Sequence, residues 1–203
     1  ECSGDHKDGL PGFLKWKVFR PSPVMSNVRR IGQRSLTGNP HLHYGSAMKN
    51  QLATHMLSLT GRPDRATDRM RKAIDLAITS ADEFGDVTVD SRHVLYGLIR
   101  EAEGVGFHVL NHLNLTRLQL DSVLSIADPS SGNSAINVDD DIAIVMRAAA
   151  DAATLMNHNY IGTEHLLLGV VAPNTQSVKL LADLGISDES VTHEVRGLMG
   201  YLP

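Results

Sequence analysis

The sequence contains an internal repeat, and this feature restricts its fold more than any other. A shift of 72 residues places residues 66–99 over residues 138–171, with apolar side chains matched at helical spacing. Identical residues recur at several positions, and three of these pair His93 with His165, Leu95 with Leu167, and Gly97 with Gly169. Beyond residue 99 the match continues at a shift of 71, because one residue is missing from a loop. The pattern predicts two copies of one structural unit.

Each copy is predicted to form four helices, because its apolar positions recur at helical spacing between caps and turns. The copies cover residues 66–127 and 138–203, and turn-forming residues at 128–137 predict a linker between them. Ser91 and Thr163 are the expected N-caps of the second helix in each copy, since a hydroxyl oxygen accepts a free backbone N–H. The predicted fold class is all-α, a tandem pseudo-twofold repeat of about eight helices.

The first 65 residues lie outside the repeat. Residues 1–45 combine Gly and Pro with basic side chains and are predicted to form an irregular arm, whereas residues 46–65 predict one short helix and a linker. A small apolar island in the arm is a tentative partner-docking segment; it consists of Phe13, Trp16 and Phe19 with neighbouring basic residues. Packing of this island back onto the body is an equally good interpretation.

Charge and composition exclude several classes of function. The arm carries a net charge of +4 and the rest of the chain −8, and an acidic body does not suit a nucleic-acid surface. No apolar run approaches the ~20 residues that a membrane helix needs, so no membrane partner is expected. The lone Cys2 cannot form an internal disulfide, which favours a reducing compartment such as the cytoplasm. If an upstream transit peptide was removed, the plastid stroma fits equally well.

Sequence motifs for catalysis are also missing. No Gly-Lys dipeptide occurs, so the sequence has no P-loop to hold ATP, and no cofactor is expected. The serines and the single cysteine do not fall in a pattern typical of nucleophilic catalysis. His108 and His112 are four residues apart, but no third ligand accompanies them and no metal site is expected. The chain is predicted not to be an enzyme.

Residues 160–169, with the sequence YIGTEHLLLG, resemble the signature of the Clp amino-terminal (Clp R) domain, which precedes the ATPase modules of ClpA- and ClpC-type unfoldases. Residues 89–97 resemble a degraded version of the same motif. The resemblance spans about residues 66–200. It departs from the family where residues 172–175, Ala-Pro-Asn-Thr, replace a charged, glycine-containing link.

The resemblance implies a non-catalytic module that recognises substrates or adaptors for a Clp-type ATP-dependent chaperone-protease. Family relatives that lack the unfolding ring associate with the protease core, so an accessory subunit of the proteolytic ring is an alternative. A small-ligand-binding protein or enzyme on a borrowed fold is a third, because fold alone does not determine function. The expected partners are accordingly an unfoldase, a protease ring, or an adaptor or substrate protein.

The resemblance also implies a ligand site in the second copy. In some family members the glutamate of the Gly-Thr-Glu-His motif helps to bind phosphoarginine, and Glu164 holds that position between Thr163 and His165. A carboxylate can grip a guanidinium group, while the free N–H groups of a helix start receive phosphate. A purely structural role, in which Glu164 complements the helix dipole, remains the alternative.

The first copy carries a degenerate counterpart of this site, formed by Ser91, Arg92 and His93. Arg92 reverses the charge of the glutamate and would repel a guanidinium group. One equivalent of phosphoarginine is therefore expected, and the substitution Arg92→Glu is expected to create a second site. His93 and His165 recur at one position, which favours a role in packing or capping.

Overall fold

The computed structural model describes residues 45–124 and 136–201. Almost all of the predicted arm (residues 1–45) and most of the predicted linker lie outside these described residues. The prediction for the apolar island of Phe13, Trp16 and Phe19 lies outside them as well.

The described residues form nine α-helices, one short 3-10 helix and two very short strands. The helices are α1 (Ser46–Ser58), α2 (Asp68–Phe84), α3 (Ser91–Glu101), α4 (Val105–His112), α5 (Arg117–Leu124), α6 (Asp140–Leu155), α7 (Thr163–Val170), α8 (Gln176–Asp183) and α9 (Asp188–Leu198). The strands are β1 (Thr88–Val89) and β2 (Asn137–Val138), and the 3-10 helix is Pro63–Arg65. Helix α1 and four helices in each copy confirm the predicted all-α tandem repeat. None of these helices is long and apolar enough to span a membrane.

Side-chain caps explain where several helices begin. The Thr67 hydroxyl accepts the Met70 N–H at the start of α2, and Ser187 accepts the Ser190 N–H at the start of α9. The prediction that Ser91 and Thr163 are N-caps is wrong, because each is the first residue inside its helix. Their predecessors, Asp90 and Gly162, have the extended backbone that an N-cap requires.

The two copies exchange backbone pairing. β1 of the first copy pairs in parallel with β2, which leads into the second copy, and Val89 lies opposite Val138. The equivalent bridge joins Ala66, which leads into the first copy, to Ile161 of the second. Because the shift of 72 converts one pairing into the other, the copies are related by a pseudo-twofold axis through this exchange.

Close contact between helices builds the core of each copy. Helix α2 packs on α3, and α6 packs on α7, with Leu95 and Leu167 wholly buried. At the crossing points lie the repeated Gly97 and Gly169, where a Cβ atom would lie 2.2 Å from the backbone oxygen of Ala73 or Val145, respectively. Only glycine permits this approach of two backbones.

Candidate functional site

The hydroxyl groups of Ser91 and Thr163 connect the two copies. Ser91 Oγ accepts the backbone N–H of Ser177 at the start of α8, with N and Oγ 2.9 Å apart. Thr163 Oγ1 accepts the N–H of Gly106 at the start of α4, at 3.2 Å. Each hydroxyl therefore caps a helix of the other copy. The sequence did not predict this structural role for Ser91 and Thr163.

The repeated histidines are both wholly buried. In the neutral ring, His93 Nδ1 accepts the N–H of Asp90 at 3.2 Å; in the protonated ring, the same nitrogen donates to Asp90 Oδ1, 3.1 Å away. His165 Nδ1 accepts the N–H of Gly162 at 2.9 Å. Each ring thus reaches back to the residue that precedes its helix, as in a capping box. This geometry confirms the capping role predicted for the pair and places the His165 ring behind the surface of the candidate ligand site.

The second ring nitrogen of each histidine meets a different partner. His93 Nε2 lies 2.9 Å from a carboxylate oxygen of Asp86, whereas His165 Nε2 lies 2.9 Å from Nδ1 of His158. Asp86 and His158 are equivalent under the shift of 72. The same packing position therefore places an acid beside one histidine and a second imidazole beside the other.

These partners shift the pKa values of the two histidines in opposite directions. Burial opposes charge on His93, but hydrogen bonds with Asp86 and Asp90 outweigh it and raise the pKa of His93. Burial, reinforced by the charge of His158, lowers the pKa of His165 to about 4. His165 is therefore neutral at pH 7.

Acidification should destabilise the chain through His165. An unfolded histidine has a pKa of about 6.5, so between that pH and about 4 the unfolded state binds the additional proton and the free energy of unfolding falls. His93 acts in the opposite sense: its contribution is complete below about pH 6.5 and is lost as pH rises through its raised folded-state pKa. Denaturant titrations from pH 7 to pH 4.5 should show a smaller loss for His165→Asn than for the wild type. Equal losses would contradict this assignment.

His158, Glu164 and His165 are the metal-ligand side chains that lie together within the described part of the chain, with one potential ligand atom from each inside 4.8 Å of the others. His165 does not suit a metal ion in this arrangement. Its one lone pair, on Nδ1, accepts the Gly162 N–H, so Nε2 carries the proton and donates it to His158. The run of hydrogen bonds continues from His158 to Tyr201, whose hydroxyl lies 2.9 Å from His158 Nε2.

His112, one of the two histidines that lie four residues apart in the sequence, bonds Glu194, with 2.7 Å between Nδ1 and Oε1.

The Glu164 side chain is 6% exposed and folds back over the start of its own helix. Its carboxylate lies so close to Gly162 that a Cβ atom there would be 2.5 Å from it. Burial raises the pKa of Glu164, opposed by its own backbone N–H, by the charge of His158 and by a hydrogen bond from the Tyr160 hydroxyl. A cation that reaches this buried carboxylate would stabilise its charged form.

Glu164 lines a cleft of about 430 Å³ to which both copies contribute. The lining residues from the first copy are Thr67, Asp68, Arg69, Glu103, Gly104 and Val105, and those from the second are Tyr160, Gly162, Thr163, Glu164 and Met199. Arg69 is half-exposed and pairs with Glu103, with 3.2 Å between guanidinium nitrogen and carboxylate oxygen. The cleft thus combines a buried carboxylate, an exposed guanidinium and two helix starts.

The pseudo-equivalent position in the first copy carries the opposite charges. The shift of 72 pairs Glu164 with Arg92 and Arg69 with Asp141. Arg92 is not a free cation, because its guanidinium bonds Asp90 with Nε and Oδ2 3.0 Å apart. Asp141 was not among the predicted site residues, although the shift of 72 pairs it with Arg69 in the sequence.

Comparison with known protein families identifies the family of this chain. A family model described as the Clp repeat (R) N-terminal domain matches residues 65–184 and, in a second match, residues 137–203. The two overlapping matches cover more than half of the chain. The chain belongs to the Clp repeat (R) N-terminal domain family.

Curated Clp proteins match about two thirds of the chain. The chain is 30% identical over 139 residues to the negative regulator of genetic competence ClpC/MecB of Bacillus subtilis, covering 67% of this chain and 17% of that protein. It is 29% identical over 139 residues to the chaperone protein ClpB of Oceanobacillus iheyensis, with the same coverage. The chain therefore spans less than a fifth of the length of these relatives.

Solved Clp N-terminal domains share the fold. The N-terminal domain of the chaperone ClpD from Arabidopsis thaliana matches with a TM-score of 0.52 and 21% identity, over 68% of this chain and 96% of that one. The Hsp104 N-terminal domain from Candida albicans matches with a TM-score of 0.55 and 17% identity, over 67% of this chain and 92% of that one. At these identities the likeness establishes the fold alone.

Proposed function

We propose that this chain recognises substrate or adaptor proteins for a Clp-type unfoldase and catalyses no reaction itself. The observation that carries the proposal is the cleft at Glu164, which presents a buried carboxylate and an exposed guanidinium at the junction of the two copies. Membership of the Clp N-terminal domain family supports it.

The proposed ligand is an arginine side chain that carries a phosphate, presented by a protein. A volume of about 430 Å³ accommodates one such side chain. Glu164 receives the guanidinium part, because two carboxylate oxygens match its planar donors. The Tyr160 ring, 36% exposed at the rim, offers a face against which the guanidinium can stack.

The phosphate end is assigned to Arg69 and to the first amides of α4 and α7, those of Val105 and Thr163. First-turn N–H groups have no acceptor within their own helix and attract anions. Arg69 lies half-exposed in the same cleft. His165, included in the site on sequence grounds, contributes by fixing the start of α7 from behind rather than by touching the ligand.

Calorimetry with a phosphoarginine peptide tests this assignment. The wild-type chain is expected to bind one equivalent. Glu164→Gln keeps the shape of the side chain but removes its charge, so binding should weaken about 30-fold or more, the usual effect of removing one partner of a buried charge pair. The matched first-copy variant Arg92→Gln should leave the affinity unchanged, because Arg92 lies in the other copy.

The pH dependence of binding provides a second readout. Because burial raises the pKa of Glu164, part of its population is protonated in mildly acidic solution, and a guanidinium ligand must displace that proton. The affinity should therefore fall as pH decreases from 7 to 5, and Glu164→Gln should show a smaller dependence. Absence of heat from the wild-type chain at pH 7 would overturn the phosphoarginine assignment and leave Glu164 as a helix-start charge.

Native co-purification with mass spectrometry separates the candidate functions. Recovery of an unfoldase supports recognition of substrates or adaptors. Recovery of a protease ring without an unfoldase would replace this function with that of an accessory subunit of the ring. Recovery of neither, together with binding of a small metabolite, would favour the third class, a ligand-binding protein on a borrowed fold.

A further inference from the structure

The first copy holds a carboxylate where the proposed site in the second copy would hold the anionic part of its ligand. Asp141 lies 6% exposed at the start of α6 and turns toward two other helix starts. Its Oδ1 and Oδ2 accept the N–H of Ser91, the first amide of α3, at 3.2 and 3.3 Å. Its Oδ2 also accepts the N–H of Gln176, the first amide of α8, at 3.1 Å.

The Ser91 hydroxyl completes this arrangement. It donates to Asp141 Oδ2 at 2.6 Å while its oxygen accepts the Ser177 N–H. One carboxylate is therefore held by two helix-start amides and one hydroxyl, the donor set that binds anions at helix N-termini. Burial and the nearby Asp90 and Asp139 raise the pKa of Asp141, while its hydrogen bonds with Ser91 and Gln176 oppose the shift. The donors thus offset the cost of burying this group among other acids.

The pseudo-equivalent donors in the second copy are Thr163 and the first amide of α4, at Val105. The residue equivalent to Asp141 there is Arg69, a cation, which supplies no carboxylate to these groups. The two copies thus share one donor framework. In the first it holds Asp141, and in the second it lines the cleft, while the buried Glu101 carboxylate accepts the N–H groups of Glu103 and Gly104 just before α4.

We propose that Asp141 is a built-in anion that closes the first copy to anionic ligands, so that the chain has one ligand site in place of two. The inference rests on the proposed function for its biological meaning, but the occupancy of the first copy can be tested without it. It also revises the expectation for Arg92→Glu. That substitution leaves Asp141 in place and adds a further carboxylate beside Asp86, Asp90 and Asp141, so it should not create a second site.

Amide chemical shifts in a titration with inorganic phosphate test the inference. In Asp141→Ala the amides of Ser91 and Gln176 should respond to phosphate with at least about tenfold higher affinity than in the wild type, since charge-assisted hydrogen bonds become available to the added ion. Asp140→Ala is the matched control, because it removes the same charge from the neighbouring, exposed position of α6. Equal responses in the two variants, or none in Asp141→Ala, would overturn the proposal.

A reciprocal change keeps the test decisive if Asp141→Ala does not fold. Arg69 is half-exposed, so Arg69→Asp, combined with Glu164→Arg, reproduces the charges of the first copy in the second. The amides of Thr163 and Val105 should then move with the pH titration of the introduced carboxylate and lose any response to phosphate. Arg69→Asn with the same Glu164→Arg is the control and should show no such pH-dependent movement. Identical behaviour of the two double variants would overturn the inference.

The two titrations distinguish failure of this inference about Asp141 from failure of the proposed function. If phosphoarginine does not bind the wild type but Ser91 and Gln176 respond to phosphate in Asp141→Ala, the proposed ligand is wrong and the role of Asp141 stands. If phosphoarginine binds with one equivalent, the double variant Asp141→Arg with Arg92→Glu should raise this to two. A stoichiometry that stays at one in the folded double variant would contradict closure by Asp141.

Discussion

Replacing Leu167 with alanine should lower the free energy of unfolding by about 2–5 kcal/mol, the usual cost of a large-to-small change in a packed core. Leu167 is wholly buried in α7, which lies between α6 and the first copy. Its neighbours are fixed by the backbone contact at Gly169, so the space left by the removed methyl groups cannot easily close. A loss of this size is a large fraction of the stability of a domain, which is about 5–15 kcal/mol.

The control for this prediction is Leu155, at the end of α6, which is 87% exposed. Leu155→Ala removes the same atoms from a position in contact with solvent, so its effect should stay within about 0.5 kcal/mol. Denaturant unfolding followed by circular dichroism measures both. Because Leu95 is the buried equivalent of Leu167, Leu95→Ala should fall in the same range. A similar small loss for Leu167→Ala and Leu155→Ala would show that the α7 position is not part of the core.

The sequence predicted the helices well because their signals are local. Apolar spacing, Gly and Pro stops and capping hydroxyls all act within one or two turns, and the four helices predicted for each copy are present. The error at Ser91 and Thr163 has a local cause as well. Both residues have the chemistry of an N-cap, but the extended backbone falls one residue earlier, at Asp90 and Gly162.

Contacts between the copies were not predicted, because their partners are distant in sequence. Strands of two residues such as β1 and β2 carry no periodic signal, and their pairing depends on how the copies meet. Asp141 shows the same limit. Its carboxylate bonds groups 35 and 50 residues away, and no local pattern at the start of α6 indicates these partners.

The candidate ligand site was predicted in part. The family motif led to Glu164, and the structure places this residue in a cleft with Thr163. Arg69 and Tyr160 were missed, because Arg69 comes from the other copy and Tyr160 reads as an ordinary aromatic residue before a helix. The charge inversion between the copies was predicted in part: the sequence showed Arg92 as the counterpart of Glu164, but the matching inversion between Arg69 and Asp141 was not predicted.

The glycines at the helix crossings lead to the second large expected effect. Gly169→Ala should lower the free energy of unfolding by about 3 kcal/mol, the upper end of the usual cost of overpacking. A Cβ atom at this position would lie 2.2 Å from the backbone oxygen of Val145 and 3.2 Å from the backbone nitrogen of Ala149. Neither atom can rotate away, because both belong to the backbone of α6, so the two helices must separate.

Gly45 provides the matched control for this substitution. It lies outside the repeat, a Cβ atom there meets nothing within 4 Å, and its φ of −54° is one that alanine adopts without strain. Gly45 is the N-cap of α1, a position that favours glycine over alanine, so Gly45→Ala should cost no more than about 1 kcal/mol, well below the cost at the crossing. The repeat predicts a second result: Gly97→Ala should destabilise by a similar amount, because its Cβ atom would lie 2.2 Å from the backbone oxygen of Ala73. Wild-type stability in either crossing variant, measured by denaturant unfolding, would show that the helices do not approach as closely as described.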